Sequence, residues 1–202
     1  MKVALIGAGG TAGSRILKEL IRREHCVLAL ARTPSKVDAC YGALVRQLNA
    51  NDVLAVSEAV RGQDAVISAT TFTQTNPRNL IDGITAADVM RYIVVGGAGS
   101  LETSPGLREM DDPRFPTSVT PEAEAGCRFL EQLRRSELDW SFLCPSRFFE
   151  PGERTGKFRL GKDNLLISET GRSAISMEDY AIALIDELER PKHVRQRFTV
   201  GY

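Results

Sequence analysis

Aromatic residues make up only 6% of this 202-residue chain, and tryptophan occurs once, at Trp140, which reads as core. Neither sign of charge is in excess: 26 Lys and Arg stand against 26 Asp and Glu. That balance removes the electrostatic footprint of a nucleic-acid or membrane-surface binder. No apolar run approaches the roughly 20 residues that cross a bilayer. The first residues enter a strand-like segment without the charged, apolar and cleavage regions of a secretory leader. Histidine is scarce: His25 and His193 lie far apart, which disfavours a histidine-based metal site. The four cysteines, Cys26, Cys40, Cys127 and Cys144, form no CxxC pair. They read as reduced thiols of a cytoplasmic protein, not as a disulfide framework or zinc cluster.

What is present is 43% hydrophobic residues in a regular rhythm. KVALIG, CVLALAR, ALVRQL, DAVISAT, RYIVVGG and LDWSFLCP read as strands. Between them lie helical patterns. SRILKELIRREH puts Ile16, Leu17, Leu20 and Ile21 on one face, with Lys18, Glu19, Arg22 and Arg23 as a solvated face and His25 at the C-terminal end. DVLAVSEAVRG ends at Gly62, and NPRNLIDGITAADVM is capped by Asn76 ahead of Pro77. A Pro- and Gly-rich connection runs from Ala98 to about Thr120, before the helix PEAEAGCRFLEQLRRS. Alternating strands and helices predict an α/β fold: a Rossmann-like doubly wound parallel sheet with helices on both faces. Beyond Pro145 the rhythm breaks into a small C-terminal extension. Extended pieces are expected at KFRL and LLIS, then an amphipathic helix ISMEDYAIALIDELER stopped by Pro191, then a strand QRFTVGY. No repeat or linker divides the chain, so residues 1–202 are expected to form one domain.

The first strand runs into GAGGTAG. Gly7, Gly10 and Gly13 give a GxxGxxG spacing, with Gly9 as an extra. Glycines between a first strand and a first helix let the backbone turn tightly and approach a pyrophosphate, which the helix N-terminus then attracts. The end of the second strand reads ALARTPSK. No carboxylate stands there to hold a ribose 2′-hydroxyl; Arg32, Ser35 and Lys36 do, a set suited to a 2′-phosphate. The expected cofactor is NADP(H), with NADPH preferred over NADH.

GAGGTAG resembles the GATGxxG fingerprint of the atypical short-chain dehydrogenase/reductase superfamily, with Gly9 where that pattern usually has Thr. The similarity continues through GQDAVISAT, VVGGAGSLE and DWSFLCPSRFFEPGERTG to ISMEDYAIALIDELERPKHVRQRFTVGY. Together these resemble the NADH-flavin reductase-like family, relatives of biliverdin-IXβ/flavin reductase. The resemblance implies that Gly7, Gly10, Thr11 and Ala12 meet the pyrophosphate, and that Asn49, where Asp is usual, and Ala50 flank the adenine. It implies further that Ala69, Thr70 and Thr71 sit beside the nicotinamide ribose. Gly97, Ala98 and Ser100, with Cys144, Pro145, Ser146 and Arg147, would surround the nicotinamide. All are strand carboxyl ends, where open α/β sheets bind ligands.

The tyrosine acid of ordinary short-chain dehydrogenases, carried by a YxxxK motif, is missing. Four positions after Tyr41, Tyr92 and Tyr180 stand Val45, Gly96 and Leu184, and Tyr202 ends the numbering. Hydride transfer to a flavin asks less of the protein, because water can supply the proton. The expected activity is therefore NAD(P)H-dependent reduction of a small-molecule acceptor that is flavin-, quinone- or tetrapyrrole-like. A non-catalytic NADP(H) sensor and a reductase or isomerase of a secondary metabolite are the alternatives. Ser100 is the candidate catalytic residue, or else a turn residue. Arg147, Phe148 and Phe149 are candidate substrate contacts, or else loop packing. Cys144 faces either the crevice or the core. Glu153 and Arg154 read as a pair holding the late loop. Neither nucleic acid nor membrane is an expected partner, and the chain is expected to be a monomer or homodimer.

Overall fold

The computed structural model describes residues 1–38 and 42–202; Cys40 and Tyr41, both weighed in the sequence, lie outside the described residues. The first half contains β1 (Lys2–Ile6), α1 (Thr11–Arg22), β2 (Cys26–Ala31), β3 (Leu44–Gln47), α2 (Val53–Val60), β4 (Ala65–Ser68), α3 (Pro77–Ala86) and β5 (Arg91–Val95). A small hairpin follows, β6 (Glu102–Ser104) and β7 (Leu107–Arg108), then α4 (Thr120–Arg134) and β8 (Asp139–Pro145). The late segment holds β9 (Phe148–Glu150), β10 (Arg159–Gly161), β11 (Ala174–Ser176), α5 (Met177–Glu189) and β12 (Gln196–Gly201).

Eight strands form one sheet in the order β10-β12-β8-β5-β4-β1-β2-β3. Every pair in it is parallel except β10 with β12. The chain winds outward from β1 through β2 to β3, then crosses back to β4. The switch point between β1 and β4 opens a crevice at their carboxyl ends. The alternation of side chains along each strand divides the core into two layers. In β1, Val3 and Leu5 join Ile16 and Leu20 of α1 and Leu184 and Ile185 of α5, whereas Ala4 and Ile6 join Val56, Leu80, Ile84 and Phe129 from α2, α3 and α4.

Asn76 caps α3 as its sequence predicts, accepting from the N–H groups of Arg78 and Asn79. The helix stops at Ala86 instead of running on through Asp-Val-Met, because Asp88 takes a left-handed conformation at φ 58°. In the late segment KFRL does carry β10, but LLIS forms no strand. Its extended partners are instead β9 and β11, paired in parallel, with Phe149 opposite Ile175. The helix expected to be amphipathic, α5, is enclosed nearly all round, and even Asp179 and Glu187 are buried. It packs against both the sheet and α1, and Asp179 and Glu187 find their partners inside the protein.

The same enclosure corrects the reading of α1. Glu19, expected on a solvated face, is 3% exposed. It is covered by Arg23 from its own helix and by Arg154 from the late loop. Among the described residues no helix is long and apolar enough to cross a membrane. Also among the described residues, no group of three or more His, Cys, Asp or Glu is placed to hold a metal ion.

Candidate functional site

A cavity of about 830 Å³ opens at the carboxyl ends of β1, β4, β5 and β8. It is within the size range of small-molecule and cofactor sites. It brings together Gly10, Thr11 and Ala12 from the glycine turn, Ala69, Thr70 and Thr71 after β4, and Gly97, Ala98 and Ser100 after β5. Pro145, Ser146, Arg147, Phe148 and Phe149 complete it from β8 and β9.

The glycines divide their work. A Cβ on Gly7 would lie 2.3 Å from the Ala69 carbonyl oxygen, and Gly7 sits at φ +90°. A Cβ on Gly13 would lie 2.1 Å from the Gly7 oxygen. These two residues let the turn and α1 pack directly against backbone, and neither lines the cavity. Gly10 does line it, as the residue preceding α1. No side chain caps that helix, and its first turn holds no acid. The free N–H groups and positive end of a twelve-residue helix therefore point into the site. This is the arrangement that a pyrophosphate requires.

Arg32, Ser35, Lys36, Asn49 and Ala50 do not line the cavity, and of these Lys36 adjoins the glycine turn. Gly7 N–H bonds the Leu30 carbonyl, and the Lys36 Cβ stands where a side chain on Gly9 would meet it. Leu48 N–H bonds the Ala31 carbonyl, and the Gln47 amide bonds the Arg32 carbonyl at 3.2 Å. The loops after β2 and β3 thus adjoin each other, with Arg32, Ser35 and Lys36 exposed.

Cys144 does not belong to the lining. Its thiol is fully buried beneath Ser100 Oγ at 3.5 Å, its carbonyl accepts from Thr199, and burial pushes its pKa up to about 12. Ser100 itself is nearly buried, with its hydroxyl 3.4 Å from the Gly97 carbonyl. Arg147 is not free to meet a ligand: its guanidinium is paired with Glu109. Phe149 leans on Tyr180 with ring centroids 4.7 Å apart, while Phe148 stays exposed.

No described tyrosine reaches the cavity. Tyr92 and Tyr180 are fully buried, and burial raises the pKa of each. Tyr180 donates to the Leu143 carbonyl at 2.7 Å, and the Tyr92 hydroxyl is 2.8 Å from Ser68 Oγ. Tyr202 hydrogen-bonds Ser176 and Asp179 beside a second, smaller cavity.

The sequence reading missed one wall entirely. Phe72, Glu109, Asp112, Arg114, Phe115, Pro116, Val119, Glu122 and Gly126 also line the cavity. One signal was legible: Gly126 interrupts an otherwise good helix, and a Cβ there would lie 3.1 Å from the Phe72 ring. Phe72 in turn stacks on Phe142, with centroids 6.0 Å apart. Glu122 fixes this wall by accepting from Phe72 N–H at 2.6 Å and Thr73 N–H at 3.0 Å.

The late motifs act as a strap. Arg154 of GERTGK reaches Glu19 on α1, not its neighbour Glu153, whose carbonyl accepts from Ser176. Thr155 and Gly156 N–H groups both bond buried Asp179 Oδ1 at 2.8 Å.

A family model described as NAD(P)H-binding matches residues 7–191. The Bacillus subtilis protein YwnB is 40% identical over 99% of this chain and 98% of its own length. A Bacteroides thetaiotaomicron structure, provisionally named an epimerase, is 42% identical with TM-score 0.93, covering 100% of this chain and 96% of that one. A Streptococcus pneumoniae structure, provisionally named an NADH-flavin reductase, is 33% identical with TM-score 0.84, covering 100% and 99%.

Proposed function

Since the chain belongs to the NAD(P)H-binding family, as the atypical short-chain dehydrogenase resemblance implies, we propose that it is a reductase, one domain throughout, that uses NADPH in preference to NADH to reduce a flavin-like or quinone-like acceptor. The observation that carries this reading is the wall of the cavity. It offers phenylalanine surface for a flat ring beside the candidate nicotinamide position, and no described tyrosine as proton donor. A carbonyl substrate needs such a donor; a conjugated ring takes its proton from water.

Bound NAD(P)H supplies the hydride. The uncapped start of α1, through Gly10, Thr11 and Ala12, holds the pyrophosphate, with Gly7, Gly9 and Gly13 shaping the turn. Arg32, Ser35 and Lys36 hold the 2′-phosphate, and Asn49 and Ala50 flank the adenine. Ala69, Thr70 and Thr71 position the ribose; Gly97, Ala98, Pro145 and Ser146 orient the nicotinamide. Ser100 donates a hydrogen bond at the reacting end. Phe148 and Phe149 would hold the acceptor ring against the nicotinamide side of the cavity, with exposed Phe148 leaving the ring edge open to the water that protonates it.

Following NADPH absorbance with flavins and quinones tests this reading. Oxidation well above the background rate is expected. Tight NADPH binding with no turnover on any acceptor would replace it with the non-catalytic sensor.

A further inference from the structure

The main cavity is lined by five charged side chains, and each is already matched within the chain. Arg147 grips Glu109 with two parallel bonds, Nε to Oε1 at 2.5 Å and Nη2 to Oε2 at 2.8 Å. Arg114 does the same to Asp112, at 3.0 and 2.7 Å, and holds that carboxyl down to about 2. Glu122 accepts the Phe72 and Thr73 N–H groups and the Thr73 hydroxyl. An arginine whose fork already clasps a carboxylate has little left to offer a phosphate. Three acids against two arginines leave the wall net negative. The surface between them is apolar, from Phe115, Pro116, Val119 and Phe148.

We infer that this cavity selects an uncharged planar conjugated ring as acceptor, and that Glu109 determines this specificity by keeping Arg147 from a ligand phosphate or carboxylate. The inference rests on the reductase reading above. A phosphorylated flavin or a tetrapyrrole bearing propionates would have to break an existing pair or lie unpartnered against Glu109 and Glu122. Arg172, whose guanidinium stands 5.4 Å from the Phe148 ring centroid, lines the second cavity and not this one.

Riboflavin and FMN share ring and ribityl chain and differ by one phosphate, so they form a clean pair. Menadione and a naphthoquinone sulfonate form a second. Turnover is measured at saturating NADPH, and binding of each compound is measured on protein saturated with NADP⁺. The uncharged member is expected to win by at least about tenfold in kcat/KM and in affinity, the scale of a like-charge penalty. Glu109→Gln, which releases Arg147, narrows that ratio to about threefold or less. Asp112→Asn, at the rim, narrows it through Arg114 should the first variant fold poorly. FMN bound and reduced as well as riboflavin overturns the inference while leaving the reductase reading in place. Preferential binding of the uncharged compounds without turnover upholds the selection of an uncharged ring and overturns the reductase reading. Binding of none of the four overturns both.

Discussion

Arg154 and Glu19 stand 135 positions apart, yet the guanidinium Nε and Nη2 meet the two oxygens of the Glu19 carboxylate, each at 2.9 Å. This contact ties the late loop to the helix that begins at the candidate pyrophosphate site. Arg23 holds the same carboxylate and reaches on to Asp186 and Glu189 of α5. A single buried acid therefore joins three segments of the chain.

The pair makes a prediction about acid stability. Burial by itself would raise the Glu19 pKa, but the bonds from Arg154 and Arg23 outweigh it and hold the carboxyl below its ordinary 4.5. A depressed folded-state pKa gives stabilisation that is complete above the unfolded value and lost as pH falls through the folded one. Arg154→Gln is expected to cost about 1–2 kcal/mol at pH 7, the lower range for a charged hydrogen bond because Arg154 is partly exposed. Urea unfolding at pH 7, 5 and 3.5 should show the gap between variant and parent closing at the lowest pH. A gap that stays constant would mean that Arg154 acts by packing alone.

The glycine turn predicts two different losses. Gly13→Ala forces a Cβ to within 2.1 Å of a backbone oxygen, and a drop in stability of about 1–3 kcal/mol or more is expected in thermal unfolding. Gly10→Ala meets its nearest atom at 3.3 Å, so the fold should survive. What it should lose is affinity for NADPH, because the added methyl group stands where the pyrophosphate must approach.

Tyrosine chemistry is open to direct removal. Tyr92→Phe, Tyr180→Phe and Tyr202→Phe should each keep acceptor reduction within about threefold, whereas a true general acid is worth roughly 10²–10⁴-fold. Tyr180→Phe should also cost about 1 kcal/mol of stability, since the Leu143 carbonyl loses one of its two donors and keeps only the Gly96 N–H. A hundredfold fall in turnover for any one of them would identify the acid and redirect the substrate search to carbonyl compounds.

The proposed preference for NADPH can be tested at Arg32. Arg32→Ala should weaken NADPH by roughly tenfold to a hundredfold, the value of one charge-assisted pair, and leave NADH nearly unchanged. Rising salt should narrow the preference of the parent protein, because the loop is open to solvent. Equal dissociation constants for the two cofactors at low salt would show that Arg32 points away from the ribose.

The strands and helices around the sheet were legible because each carries its own period. Runs such as VALI in β1 are apolar on both faces only when a strand is covered on both sides. Asn76 before Pro77 is a local cap that needs no distant partner. The wall made by Glu109, Asp112, Arg114 and Phe115 was not legible. Its segment has no period, and its side chains acquire meaning only when Arg147 and Phe148 arrive from β8 and β9.

Acids and bases mark the same boundary. Alternating charges on α1 spell a solvated helix face, because sequence spacing records only neighbours on the same helix. Whether that face meets water depends on what the rest of the chain lays over it, and here GERTGK does so. By itself the sequence determined the parallel sheet, the glycine turn and the basic loop after β2, because backbone stereochemistry and hydrophobic period are local properties. Tertiary structure alone decided that Cys144 is sealed in the core, that Arg147 is bound to Glu109 and that Glu19 is buried, because burial and charge pairing depend on segments brought together across the whole chain.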